Sequence, residues 1–549
     1  MKRNNHKNAS KPRLHKSEGA SGLRLLTSLV AMMALMNIEA QTAPELPRLV
    51  VNILVDQLRT DYLEAFAPLY GEGGLKRLMT EARYYADAQQ PFRGADRASA
   101  AACLSTGAVP YDNGITSLYW LSRQTLQPMY CVDDPNFKGL QTNDKSSPRH
   151  LLTTALSDEI EMATGQKAVV YSICPERDMA VLLAGHSADG AFWLNDQTGS
   201  WCSSSYYGDY PYWAEVYEKL APLSGRIGSL TWEPLYDGAL QTFHYFHSAA
   251  DAKGRDFRHK FDGERRYRLL KNTALVNDEV TEFIHRCLEG SDLGKDRLTD
   301  ILHVGFYAGN YDHMSVVRCP SEIQDTYVRL DRSLKQLFED VEKIVGPKGA
   351  LYVVSSTGYA DSDADDIDFK QMRIPTGTFS MQRASMLLNV YLGAVFGQAQ
   401  YIDGTYNQQI YLNHKLIEQK QLNLTDILSR AADFLSQMEG VRDVYTSQRL
   451  ALGAWVKGLD RVRSGWNVNR SGDIIIEANP GWRIQNESGT EYVNQGEPYI
   501  AFPLFFLGPE IKAERIATQV NTAVIAPTLA RCLRIRAPNG SREAPLILK

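Results

Sequence analysis

The chain has 549 residues, 44% hydrophobic and 22% charged, with 40 Gly and 23 Pro. These proportions are globular and exclude a disordered, collagen-like or coiled-coil chain. At about 150 residues per domain, the length allows three to four units or one large core with insertions. The formal charge is -5, yet residues 1–40 hold seven Lys/Arg against Glu18 and Glu39, so the remainder is clearly acidic. An acidic body excludes a nucleic-acid surface, which needs clustered basic charge to neutralise phosphates.

Residues 1–40 read as a signal peptide. The basic start leads into an apolar run from Leu25 to Met36 and then a small-residue cleavage site at Ala40. Twelve residues rise about 18 Å as a helix, too short for a hydrocarbon core of about 30 Å. The mature chain, residues 41–549, is therefore expected to have no transmembrane span and to be exported, to the periplasm or the cell surface. Its cysteines (Cys103, Cys131, Cys174, Cys202, Cys287, Cys319 and Cys532) are odd in number. They form no C-x-x-C pair and no Cys/His zinc cluster, and read mostly as small buried hydrophobes.

Several short apolar runs predict buried parallel strands: 49–55, 168–173, 301–307, 351–355 and 503–507. Helical patterns over 147–162, 321–345 and 519–533 separate them. The alternation predicts an α/β fold with a mostly parallel central sheet flanked by helices. Two stretches break the rhythm and read as cap insertions. Residues 195–270 are rich in Tyr and Trp, and 375–495 combine a helical stretch at 424–438 with the strand-like run 473–477.

The first strand ends in Asp56, at the carboxyl edge where open α/β sheets bind ligands. Alone this is a weak signal. The stretches LVVNILVDQLRTDYL (49–63), STGAVPYDNGI (105–115), AGHSADGAFW (184–193), SEIQDTYVRLDRSL (321–334), YLNHKLIE (411–418), RSGDIIIEANPGW (470–482) and TAVIAPTLARCL (522–533) make it specific. With them the sequence resembles the alkaline phosphatase superfamily, in its exported, PafA-type and type I phosphodiesterase-like branch.

The resemblance implies two zinc ions about 4 Å apart that clamp the attacking and leaving oxygens of an in-line displacement. It implies six Asp/His ligands, a Thr or Ser nucleophile, and Asn, Lys and Arg donors for the phosphoryl oxygens. Carried over by position, the first ligand is Asp56, retained. The nucleophile position, nine residues before Thr106, is Arg97. The Asn donor becomes Leu118, and the Lys and Arg donors become Glu176 and Asp178. The remaining metal-ligand positions hold Asn310, Met314, Thr357, Gly358 and Ala501. Replacing a Lys/Arg pocket by two carboxylates repels phosphate.

Shifted residues offer a partial rescue. Asp312 and His313 adjoin the lost ligand pair, and Ser99 lies two past Arg97, but three ligands at most result. The acidic run 361–368 reads as a solvated loop, without the Gly and Glu of a calcium loop. His186 reads as a hydrogen-bonded structural histidine. An unpaired Asp56 at a buried strand end is costly, so Arg97 is expected to pair with it and fill the old metal position. The expectation is thus an exported protein of alkaline phosphatase fold that has lost two-zinc catalysis and needs no cofactor. Such a pseudoenzyme would bind an unknown envelope protein or ligand through the aromatic insertion. The alternative is an active phosphomonoesterase or phosphodiesterase holding two zinc ions through shifted ligands.

Overall fold

The computed structural model describes residues 45–235, 257–361, 372–453, 458–486, 491–493 and 500–548. The signal peptide expected at 1–40 lies outside them. The central sheet has eleven strands. In chain order they are β1 (Leu49–Asp56), β2 (Arg83–Gln89), β3 (Gly139–Leu140), β4 (Val170–Ile173), β5 (Gly190–Leu194), β6 (Trp201–Ser204), β7 (Asp300–Tyr307), β8 (Ala350–Ser356), β9 (Phe502–Leu507), β10 (Glu514–Ile516) and β11 (Val520–Asn521). Across the sheet they run β10-β2-β9-β8-β1-β7-β4-β5-β6-β3, with β11 also pairing with β2.

Strand β1 is a continuous apolar run because both of its faces are covered, and all eight residues are buried. Leu49, Val51, Ile53 and Val55 enter one core, while Val50 and Leu54 enter the other. The helices that matter are α1 (Arg97–Thr106), α2 (Leu156–Thr164), α3 (Arg177–Ala184), α4 (Leu275–Gly290), α5 (Pro320–Val345), α6 (Met381–Phe396), α7 (Leu424–Ser436) and α8 (Ile525–Leu533). Residues of α4 and α5 pack in the first core and those of α1, α3 and α8 in the second. The architecture is the expected α/β one.

Strands β1, β4, β5, β7 and β8 are mutually parallel along this path, so their carboxyl ends share one edge. Three expectations need correction, the first being the helix predicted over 519–533, which begins only at Ile525 because Val520–Asn521 pairs with β2 as β11. Strand β9 (predicted at 503–507) runs antiparallel to both β8 and β2; an apolar run buried on both faces does not encode its direction. The helix predicted over 147–162 begins only at Leu156, because Ser147 and Asp134 hydrogen-bond each other at 2.6 Å and hold the preceding segment as a loop.

The stretch 375–495 builds its own small core from α6, α7 and strands including 402–406, 409–412, 441–446 and 474–478. Among the described residues, the stretch 195–270 turns most of its aromatic side chains inward instead of presenting them. Trp201, Trp213, Tyr217 and Trp232 are buried in the first core, and Trp201 stacks on Phe283 with ring centroids 4.1 Å apart. The aromatic richness is a packing requirement here, and Tyr212 is its one strongly exposed ring among the described residues.

The same packing buries Glu279, which accepts from Tyr217 Oη at 2.8 Å and Trp201 Nε1 at 3.1 Å and pairs with Arg226. Tyr217→Phe removes one of these donors from a buried carboxylate. It is expected to cost roughly 1–2 kcal/mol, read as a lower urea midpoint at unchanged m-value.

Candidate functional site

The parallel strand ends converge on a buried cluster of charges. Asp56 ends β1, opposite Tyr307 of β7, and Val55 is opposite Ser356 of β8. Thr357 follows β8. Its hydroxyl donates to Asp56 Oδ1 at 2.9 Å and accepts from the Gln57 N–H at 2.9 Å. Burial pushes the Asp56 carboxyl up to about 6, against the opposing pull of Arg97, Tyr359, Thr357 and His313.

Arg97 is the first residue of α1. Asp96 caps that helix, accepting from the Ser99 N–H at 2.9 Å, while Ser99 Oγ accepts from the Asp96 N–H at 2.9 Å. Asp96 also accepts from the Leu118 N–H at 2.6 Å. The chain's own carboxylate therefore occupies the anion-attracting end of the helix.

The Arg97 guanidinium forks onto Asp178, with Nε and Nη2 each donating at 2.9 Å. Its Nη2 lies 3.5 Å from Glu176, and its Nη1 lies 3.8 Å from Asp56. The expected Arg97–Asp56 pair is thus the long one, and the bidentate partner is Asp178. The reason is geometric. Asp178, fully buried at the start of α3, presents both carboxylate oxygens to the fork, whereas Asp56 is already held by Thr357. Tyr130 Oη completes the Asp178 shell at 2.8 Å.

Glu176 links this group to a second cation. Lys271 Nζ lies 3.0 Å from Glu176 and 2.6 Å from Asp196. Burial pushes the Glu176 carboxyl up, but Arg97 and Lys271 together outweigh it and hold it at about 2. The result is a chain of alternating charge, Asp178–Arg97–Glu176–Lys271–Asp196.

The other predicted positions are used locally. Asn310 Nδ2 donates to the Met314 carbonyl at 2.9 Å, so these two residues close their own loop. Gly358 has a φ of +74°, and a Cβ there would meet Gln90 Cγ at 2.8 Å. A side chain at that position therefore needs Gln90 to move. The Ala501 carbonyl accepts from the Thr60 N–H at 3.0 Å.

Of the candidate shifted ligands, Asp312 points its charge at Arg265, 3.6 Å away. His313 pairs with Asp361 at 3.0 Å. That hydrogen bond raises the imidazole pKa, against the opposing effect of burial. The rest of the acidic run, 362–368, lies outside the described residues. His186 is structural, its ring nitrogens meeting Asp158 at 2.9 Å and the Leu151 carbonyl at 3.1 Å.

Tyr130, Asp196, Lys271 and Tyr359 escaped the sequence reading. Lys271 closes a helix at the edge of the aromatic insertion, and no motif marks it. The available signal was the reversal of sign itself. On the expected alignment Arg97 stands in place of a neutral hydroxyl and Glu176 and Asp178 in place of cations, and reciprocal changes of charge mark neighbours in space.

A family model described as type I phosphodiesterase / nucleotide pyrophosphatase matches residues 50–499. The chain is 29% identical to a protein named calcium-transporting ATPase from Myroides odoratus, over 91% of this chain and 94% of that one. It is 27% identical to the alkaline phosphatase PafA of Elizabethkingia meningoseptica, over 95% of this chain and 98% of that one. The solved structure of PafA superposes with a TM-score of 0.78 at 25% identity, covering 92% of this chain and 99% of that one. A PafA variant altered at a threonine, an asparagine, a lysine and an arginine superposes equally well.

Proposed function

Because the chain belongs to the type I phosphodiesterase / nucleotide pyrophosphatase family of the alkaline phosphatase superfamily, we propose that it is an exported member that keeps the fold, has given up two-zinc phosphoryl transfer, and acts by binding a partner. The observation that carries this reading is the bidentate Arg97–Asp178 pair at the nucleophile and anion-donor positions. A two-zinc clamp needs about three ligands per metal and a nucleophile between them. Asp56 has the Arg97 guanidinium 3.8 Å away, and that positive charge opposes a metal ion at the same carboxylate. Among the described residues, no group of three or more His, Cys, Asp or Glu side chains is arranged to hold a metal.

The altered PafA residues support the assignment of positions. The threonine and asparagine there are as far apart in sequence as Arg97 and Leu118. The lysine and arginine, like Glu176 and Asp178, are separated by one residue. With Glu176 and Asp178 in those places, a phosphoryl group meets negative charge where it needs donors. The basic and apolar N-terminal sequence supports export.

A second reading, an active hydrolase with shifted ligands, draws on the enzymes among the relatives and on the His313–Asp361 pair, whose imidazole acts electrostatically on Asp56. One experiment separates the two. Protein lacking residues 1–40 is incubated with excess zinc, desalted, analysed for metal, and assayed on p-nitrophenyl phosphate and bis-p-nitrophenyl phosphate. The expected result is far less than one zinc per chain and no hydrolysis above the blank. Two zinc per chain with metal-dependent turnover overturns the proposal and establishes the second reading. Arg97→Thr restores a hydroxyl but leaves Leu118, Glu176 and Asp178 in place, so no gain of activity is expected.

A further inference from the structure

The aromatic insertion meets helix α4 around a cavity of about 410 Å³, within the range of small-molecule sites, about 300–1,000 Å³. Leu223, Leu230 and Leu270 line it from the insertion. Helix α4 contributes Leu275, Asp278, Glu279 and Glu282, whose spacing of three and four residues puts them on one face of the helix. Leu223 and Leu270 are each 1% exposed, whereas the Asp278 and Glu282 side chains are 53% and 47% exposed. The cavity therefore has an apolar floor and a mouth edged by carboxylates.

The lining carries three carboxylates against one guanidinium, Arg226, and that cation is taken by Glu279. The two carboxylates at the mouth have only shared partners. Arg329 Nη1 lies 3.9 Å from Asp278, while its Nε donates to Asp325 at 2.7 Å. Ser333 Oγ, the one hydroxyl on Asp278 at 3.2 Å, also lies 3.1 Å from the Arg329 carbonyl. Further out, Asp325 and Arg332 act on Asp278 in opposite senses. Glu282 has Arg286 at 3.3 Å, and Arg286 also pairs with Glu289 at 3.1 Å. The mouth thus keeps acceptor capacity and negative charge above an apolar floor.

We propose that this cavity binds a small primary amine in its protonated form, with its apolar body against Leu223, Leu230 and Leu270 and its ammonium at Asp278 and Glu282. An ammonium brings three donors to carboxylates that are short of them. A quaternary ammonium fits less well, because it has no N–H to donate and no aromatic ring lines the cavity to receive it. A bare metal ion would leave the leucines uncovered, and among the described residues no group of three carboxylates is arranged to hold one. An anion meets like charge at the mouth. This inference is independent of whether the charge cluster at the strand ends is catalytic.

The test is a ligand-observed NMR titration of protein lacking residues 1–40 at pH 7 with four probes that share one body and differ in the head: 4-phenylbutylamine, 4-phenylbutanol, 4-phenylbutyrate and 4-phenylbutyltrimethylammonium. The amine is expected to bind roughly tenfold or more tightly than each of the others, the worth of one hydrogen bond to a charged group. The isosteric double substitution Asp278→Asn and Glu282→Gln is expected to remove that preference, leaving amine and alcohol equal. Leu230→Trp fills the cavity and is expected to abolish binding of all four. Glu418→Gln, at an exposed carboxylate on the helix His414–Gln419, leaves the amine affinity unchanged. Circular dichroism and thermal unfolding establish that each variant is folded, and the isosteric pair carries the test if Leu230→Trp is not. No binding of the amine by the parent overturns the proposal. So does equal binding of amine and alcohol, tighter binding of the trimethylammonium probe, or an amine preference that survives the double substitution.

Discussion

Arg97→Ala is expected to lower the stability of the protein by about 3–5 kcal/mol, the range for removing one partner of a buried ion pair. The size follows from what the guanidinium faces. It forks onto Asp178, whose side chain is completely buried, and lies within 4 Å of both Glu176 and Asp56. Removing it leaves three carboxylates around one vacated volume, with Lys271 as the nearest remaining cation. The damage is electrostatic, so it depends on pH. The deficit relative to the parent is largest near pH 8 and shrinks as pH falls through the value of about 6 to which burial pushes the Asp56 carboxyl.

Arg97→Lys retains the charge and loses the planar fork, so it is expected to fall between parent and Ala. Urea midpoints across pH 4–8 for the three proteins test this. A deficit in Arg97→Ala that does not vary with pH would mean that lost packing dominates, not unbalanced charge.

Asp56→Asn is expected to act in the opposite direction. Burial holds the folded-state pKa of Asp56 at about 6, against an unfolded value of about 3.9. The folded protein therefore binds this proton more tightly than the unfolded chain. The stability it contributes is fully present below pH about 4 and is lost as pH rises through 6. Two pH units correspond to about 3 kcal/mol at most. Asparagine carries no charge to desolvate and can still accept from Thr357, so the variant is expected to be more stable than the parent at pH 8, with a flatter profile between pH 4 and 6.

Asp300 is also pushed up, to about 6, and Glu161 to about 7. The informative quantity is accordingly the difference between variant and parent at each pH. The experiment also bears on function. A retained metal ligand is destabilising to lose when metal is present, whereas a stranded carboxylate is stabilising to neutralise. Lower stability of Asp56→Asn at pH 8 would overturn the view that Asp56 is stranded.

Much of this molecule is written in local sequence. The run 49–56 is apolar throughout because it is covered on both faces, and it ends in Asp56 because the strand ends there. Periodicity located α5, α7 and five of the eleven strands of the sheet (β1, β4, β7, β8 and β9), and the retained segments carried the family. The expected substitutions at 97, 118, 176, 178, 310, 314, 357, 358 and 501 rest on the same segments, since position within matching segments is a one-dimensional property.

Sequence alone therefore determined the fold class, the family and which side chains stand at the strand ends. Tertiary structure decided what those side chains do. It ran β9 antiparallel, turned Trp201, Trp213 and Trp232 into the core, and gave Arg97 to Asp178 in preference to Asp56. It also brought Lys271 beside Glu176 from a helix that no motif distinguishes. The division has one physical cause. Burial periodicity and turn chemistry act between residues close along the chain, whereas the choice of partner for a buried charge depends on distances set by the packing of distant segments, and the low-dielectric interior makes that choice energetically decisive.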